Sequence, residues 1–211
     1  SGRTITRAIR ETLKPLGIKF HEEYVSPAAI DATSQVMNAR RAKANYVILG
    51  GSAGTAICFL RDARKIGYKP RFIGTLFSNS EAIIETAGKA AEDYICDNPF
   101  ALWGDKSKGV QELMRITERY LPGKRQTVDY TVGWVKSLVL AEGMKRAGES
   151  LDSESLVEGI ESMKNFDTGG LSGLLTYGAN DHKGGDYTRF LKADLKKKTF
   201  IPITEWRKSA D

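Results

Sequence analysis

The sequence predicts an α/β fold around a mainly parallel sheet, on three observations. Up to residue 97, short apolar runs alternate with stretches of helical periodicity, the pattern of strands joined by right-handed helical crossovers. Two of those runs, Tyr46–Leu49 and Arg71–Gly74, give way to Gly- and Ser-containing turns that open helices. At Asn98-Pro99 the alternation stops, and three helical stretches follow in a row before a strand-rich end. The change at Asn98 and the return near Gly185 predict a crossing from one lobe to another and back.

Each element follows from local signals. Ile5, Ala8, Ile9 and Leu13 stand at helical spacing over residues 3–14. Ile18–Tyr24 reads as a strand. Asp31 or Thr33 is placed to cap a helix running to about Ala44. Tyr46–Leu49 is a short apolar strand. Ser52 opens a helix to Ile66, and Gly67 stops it as a glycine just past a helix end does. Arg71–Gly74 is the next strand. Ser78-Asn79-Ser80-Glu81 has the form of a capping box, in which Ser78 and Glu81 cap each other's backbone. A helix to about Ala87 and a strand near Tyr94–Asp97 follow. Helices are predicted over Ser107–Tyr120, Val128–Ala147 and Ser153–Met163, with Asp105, Thr127 and Asp152 as caps. Leu174–Tyr177 reads as a strand and Gly178–Gly185 as a loop. Thr188–Asp194 and Thr199–Ile203 read as a hairpin turned by Lys196–Lys198.

Composition narrows the function. At 211 residues, roughly one or two domains are expected. No run of about 18 apolar residues is present, so no membrane-spanning helix is predicted. The formal net charge is +6, but basic residues alternate with acidic ones, as at Arg115, Glu118 and Arg119. That is a solvated helix face, and no nucleic-acid partner is expected. Cys58 and Cys96 lie far apart without C-x-x-C spacing, which argues against zinc and leaves buried thiols or a single bridge open. No signal peptide is recognised, so the chain reads as cytoplasmic, as mature after cleavage, or as part of something longer. No G-x-G-x-x-G, P-loop or H-E-x-x-H occurs, so no cofactor or metal is expected. Asp181-His182 reads as part of a turn.

The most informative stretch is 45–80. Ligands of parallel α/β sheets bind outside the carboxyl ends of the strands. Two such ends fall at Gly50–Thr55 and Thr75–Asn79. The first also contains Gly50-Gly51-Ser52-Ala53-Gly54, a G-x-S-x-G match to a hydrolase nucleophile elbow. Asp129 or Asp167, then His182, would complete the chain order of such a triad. Against catalysis, the match is short in a chain with 21 glycines, and no oxyanion-hole turn precedes Tyr46. Alternatively, the N–H groups of Ser52–Thr55 and the Ser52 hydroxyl hold a carboxylate or other polar group, with Ser78 and Asn79 beside them. Capping alone would also account for both serines.

Taken together, the segments resemble the carboxyl-terminal part of type I periplasmic binding proteins, the branched-chain amino-acid and amide-binding group that feeds ABC importers. NYVILGG (45–51), LRDARKIGYKPRFIG (60–74), AEDYICDNP (91–99), DYTVGWVKSLVLAEGMKRAG (129–148), GLLTYGANDHKG (173–184) and FIPITEW (200–206) carry the resemblance, in order and at matching spacing. It implies a bilobed α/β protein with parallel sheets flanked by helices, the amino-terminal part of lobe one being absent. Residues 1–97 and 187–205 would be lobe two, lacking its first strand, and 98–186 the returning part of lobe one. The chain's opening directly in a helix, with no strand before it, fits that expectation of a fragment.

The resemblance further implies a non-catalytic, periplasmic or otherwise extracytoplasmic solute-binding protein that closes on a small molecule and is recognised by a membrane permease. A ligand-sensing domain of the same fold is the related alternative. The implied contacts are Ser52, Ala53, Gly54, Thr55, Leu76, Phe77, Ser78 and Ser1. Ser52 and Ser1 fall where relatives place tyrosine contacts. Leu76 falls where amino-acid binders place a glutamate for the ligand's ammonium group. Without that acid a buried ammonium is poorly paired. The expected ligand is therefore a small carboxylate or amide with an aromatic or branched aliphatic body.

Overall fold

A computed structural model describes residues 2–149 and 151–208. The chain divides into two compact units. One comprises the residues up to Asp97 together with Phe190–Ile203; the other comprises Asn98–Arg189 and the chain from Thr204 onward.

In the first unit, α1 (Gly2–Leu13) precedes α2 (Thr33–Arg41), β1 (Tyr46–Leu49), α3 (Ala53–Lys65), β2 (Arg71–Gly74), α4 (Ala82–Ala87) and β3 (Ile95–Asn98). β1, β2 and β3 pair in parallel, with Tyr46 opposite Arg71 and Gly74 opposite Cys96. The sheet continues through β6 (Tyr187–Asp194) to β7 (Thr199–Pro202), in the order β1-β2-β3-β6-β7. β6 and β7 form an antiparallel hairpin whose turn is held by Asp194, which accepts the N–H groups of Lys196 and Lys197 at 3.0 Å. The lysines thus face solvent at a hairpin, as the charge pattern predicts.

The core of this unit gathers Val36, Phe59, Leu60, Phe72, Ile83, Tyr94, Leu191 and Phe200. Phe59 meets Phe72 edge-on at 6.2 Å. Each such side chain contributes about 2 kcal/mol on burial. α3 ends as predicted, with Gly67 at φ 67 donating to the Arg64 carbonyl.

Three predictions are corrected here. Ile18–Tyr24 forms no strand. Its alternating Ile18, Phe20 and Tyr24 are exposed, and among the described residues β1 pairs with β2 alone, so this segment finds no ladder. Neither Asp31 nor Thr33 takes the N-cap position of α2, which is Ala32, although Asp31 Oδ1 accepts the Thr33 N–H at 3.3 Å. The Ala32 N–H donates to Asp62 Oδ2 at 2.7 Å, so a buried carboxylate on α3 also holds this helix start. The capping box at α4 does not form. Glu81 takes the N-cap position without a side-chain capping bond, and the Ser78 hydroxyl is engaged elsewhere.

The second unit holds α5 (Lys108–Tyr120), α6 (Val128–Ala147) and α7 (Ser153–Glu161). Ala101, Val110, Leu113, Val135, Leu171 and Leu175 form its core. α6 and α7 approach closely at two glycines: a Cβ on Gly159 would stand 2.5 Å from the Gly143 carbonyl oxygen. Asp152 and Ser155 make the capping box of α7. Thr127 takes the N-cap position of α6 but makes no side-chain capping bond. Ser107, not Asp105, caps α5. Asp105 instead accepts the Leu102 N–H at 3.0 Å and pairs with the buried Arg189, whose guanidinium lies 4.8 Å from the Trp206 ring centroid. The predicted loop 178–185 is a second correction in this unit. β4 (Leu175–Gly178) and β5 (Asp181–Gly185) form an antiparallel pair, which a glycine-rich stretch disguised. β8 (Arg207–Lys208) pairs with the start of β6.

Candidate ligand-binding face

The parallel register brings the carboxyl ends of β1, β2 and β3 side by side. At the end of β1, Ser52 occupies the N-cap of α3 in an extended conformation, φ −70 and ψ 167. Its side chain makes no capping bond and is exposed. Its carbonyl accepts the Thr55 hydroxyl at 2.8 Å and the Ala56 N–H at 3.0 Å. Ala53 is half-buried, Gly54 exposed and Thr55 buried.

At the end of β2, the chain turns through Thr75–Ser78, with the Ser78 N–H donating to the Thr75 carbonyl at 2.7 Å. Leu76 and Phe77 project outward, 43% and 52% exposed. Ser78 does not. Its hydroxyl lies 2.6 Å from the Gly51 carbonyl and 3.1 Å from the Leu49 carbonyl, and the residue is fully buried. Ser78 therefore ties the two strand-end loops together. The Tyr94 hydroxyl completes the brace by donating to the Ser78 carbonyl at 2.7 Å. Gly74 makes this brace fit: a Cβ there would stand 1.9 Å from Tyr94 Oη and 2.7 Å from the Ser78 carbonyl oxygen. Ser1 lies outside the described residues.

Sequence reasoning missed three neighbours. Tyr94 is the buried post under the second loop. Thr75 carries a buried Oγ1 with no hydrogen-bond partner among the described residues. Asp97, near the carboxyl end of β3, is half-buried. Burial pushes its carboxyl up to about 6, against the pull of hydrogen bonds from its own N–H and that of Leu76. Position alone could have found Asp97, since it occupies the third strand end in a row where two were already singled out.

The hydrolase alternative finds no support in the local geometry at Ser52. Ser52 lacks the strained backbone of a nucleophile elbow. His182 Nε2 lies 2.7 Å from Glu161 Oε1, and Asp167 Oδ1 accepts the Gly169 N–H at 2.8 Å. Cys58 and Cys96 are both free thiols. Among the described residues no group of His, Cys, Asp and Glu converges to hold a metal ion, and no helix is long and apolar enough to cross a membrane.

Parallel strand ends that carry two braced loops, with exposed apolar and hydroxyl side chains beside a helix start, stand where open α/β sheets take their ligands, which makes this the candidate face. Residues 1–199 match the family described as periplasmic binding protein, and the chain belongs to that family. It is 26% identical over 211 residues to a leucine-, isoleucine-, valine-, threonine- and alanine-binding protein of Pseudomonas aeruginosa, covering 99% of this chain and 51% of the relative. Its fold matches a branched-chain amino acid ABC transporter protein from Thermus thermophilus with bound valine, at TM-score 0.83 and 24% identity, over 95% of this chain and 56% of that one. It also matches a fatty acid ABC transporter substrate-binding protein from Thermomonospora curvata, at TM-score 0.85 and 20% identity, over 96% of this chain and 53% of that one. The chain thus spans about half the length of these relatives.

Proposed function

We propose that the whole protein is an extracytoplasmic solute-binding component of an ABC importer, without catalytic activity, and that this chain supplies one face of its ligand site. Residues 1–97 and 187–205 are read as lobe two and 98–186 as the returning part of lobe one. The ligand is a small carboxylate or amide with an aromatic or branched aliphatic body, and the partner is the importer's membrane permease. Ser52–Thr55 and Leu76–Phe77 make the contacts, and Ser78 acts by joining the two loops.

The observation that carries this reading is the Ser78 brace. It fixes the N–H-rich start of α3 beside two exposed apolar side chains, a polar cradle next to an apolar seat. Free N–H groups at a helix start favour an anionic or carbonyl oxygen, while Leu76 and Phe77 favour a hydrocarbon body. Membership in a family with amino-acid and fatty-acid binders among its relatives supports it.

The test is a thermal-shift and calorimetric screen of the full-length protein with branched and aromatic carboxylates and amides. At least one is expected to raise the melting temperature, and Leu76→Ala is expected to weaken its binding about tenfold by removing apolar contact from the seat. No stabilisation by any of these compounds overturns the ligand class. Unchanged binding by Leu76→Ala overturns the assignment of the face.

A further inference from the structure

Gly74 and Cys96 are partners in the β2–β3 ladder, so Thr75 and Asp97 are the next residues along two adjacent parallel strands. Both stand at the strand ends that form the ligand face. Asp97 touches the second contact loop directly, because its carboxylate accepts the Leu76 N–H. Among the described residues it has no ion-pair partner. The ionisable groups it acts on most clearly are Tyr94 and Cys96, neither of which brings a positive charge. Beside it, the Thr75 hydroxyl is buried and unpaired among the described residues. Buried hydroxyls are satisfied in the great majority of proteins. Two adjacent strand ends therefore carry an acid without a cation and a buried hydroxyl without a partner among the described residues.

We propose that Asp97, assisted by the Thr75 hydroxyl, is the specificity-determining acceptor for a nitrogen donor on the ligand, an amide NH2 or an ammonium group. This rests on the solute-binding reading and narrows it from carboxylates and amides to ligands that carry N–H. It also changes the meaning of Leu76. The acid missing at position 76 is replaced by one that reaches the same loop from the neighbouring strand. A carboxylate-only ligand would bring a second anion toward Asp97, and like charges at this range repel. An N–H donor instead gives the carboxylate a partner, and charge-assisted bonds of this kind are the strong ones. The raised Asp97 carboxyl agrees with a group held without a cation in the unliganded protein.

The experiment uses calorimetry on the full-length protein with two sets of matched probes. One set is isovalerate, isovaleramide and L-valine, which share a branched skeleton. The other is phenylacetate, phenylacetamide and L-phenylglycine. In the set that binds, a nitrogen-bearing member is expected to bind about tenfold tighter than the plain carboxylate. Asp97→Asn is expected to abolish that advantage, both by weakening the nitrogen-bearing probe and, with the like charge gone, by tightening the plain carboxylate. Thr75→Val is expected to reduce the advantage in part. The amide and amine arms distinguish the two nitrogen sources. Tighter binding of the plain carboxylates by the parent protein, or nitrogen probes unaffected by Asp97→Asn, overturns this inference and leaves the solute-binding reading standing. Absence of binding by every probe overturns both.

Discussion

Replacing Asp97 by Asn is expected to make the protein more stable at neutral pH. The Asp97 carboxyl titrates at about 6 in the folded protein against an ordinary 3.8, chiefly because it is buried. The folded state therefore holds this proton more tightly than the unfolded chain. Stability is highest below the unfolded value, falls as pH rises from about 4 to about 6, and is flat above. A difference of about 2 in pKa, at about 1.4 kcal/mol each, corresponds to about 3 kcal/mol lost across that window. Asparagine never ionises and so avoids the loss, but it accepts the Leu76 and Asp97 N–H groups less well, at a cost of about 1 kcal/mol. The net expectation at pH 7.5 is a gain of about 1–2 kcal/mol. Urea titrations of the full-length protein at intervals between pH 4 and pH 8 measure it. The parent is expected to lose stability relative to Asp97→Asn with rising pH, with the crossover inside that window. Parallel stability curves for the two proteins, or a variant less stable at pH 7.5, would refute the reasoning.

Gly74→Ala is expected to cost about 1–3 kcal/mol, because the new methyl must displace Tyr94 Oη or the Ser78 carbonyl; chemical denaturation measures the cost, and ligand affinity should fall with it as the brace opens. Asp62→Ala removes the acceptor of the Ala32 N–H at the start of α2 and is expected to cost about 1–2 kcal/mol at neutral pH. Burial alone would raise the Asp62 carboxyl, but the Ala32 N–H, Lys65 and Thr33 together hold it below its ordinary 3.8. Its stabilisation is therefore present above the unfolded value and fades as pH falls through the folded one, so the deficit of the variant should shrink in acid. Ser52→Ala is expected to leave ester hydrolysis at the solvent background, as in the parent; activity present in the parent and lost in the variant would reinstate the hydrolase reading.

The sheet was legible because its strands obey local rules. Tyr46–Leu49 and Arg71–Gly74 are apolar, short and bounded by turn residues, and they formed where expected. The long helix Val128–Ala147 formed with the bounds expected of it. Ile18–Tyr24 carries the right alternation but finds no ladder partner among the described residues, and a strand is a property of a pair. The part of Asp62 in holding the start of α2 was hidden because Asp62 lies 30 residues beyond Ala32. The β4–β5 pair was obscured by Gly184 and Gly185, which lack the side chains that advertise strands.

The candidate site was half legible for the same kind of reason. Ser52 could be placed at a helix start from the chain order alone. The burial of Ser78 could not, since its two acceptors, Gly51 and Leu49, come from another loop. Leu76 and Phe77 read as apolar contacts, and both are exposed at the strand ends. Asp97 reads in the sequence as one acid among 26 acidic residues; only the pairing of β2 with β3 sets it beside Leu76.

Hydrogen exchange of the full-length protein, with and without the probe that gives the largest thermal shift, tests the central claim most directly. The amides of Ser52–Thr55 and Leu76–Ser78 are expected to gain protection together when the probe is bound, because one brace holds both loops. A bound, stabilising ligand that leaves both loops unprotected and protects other segments would contradict the account.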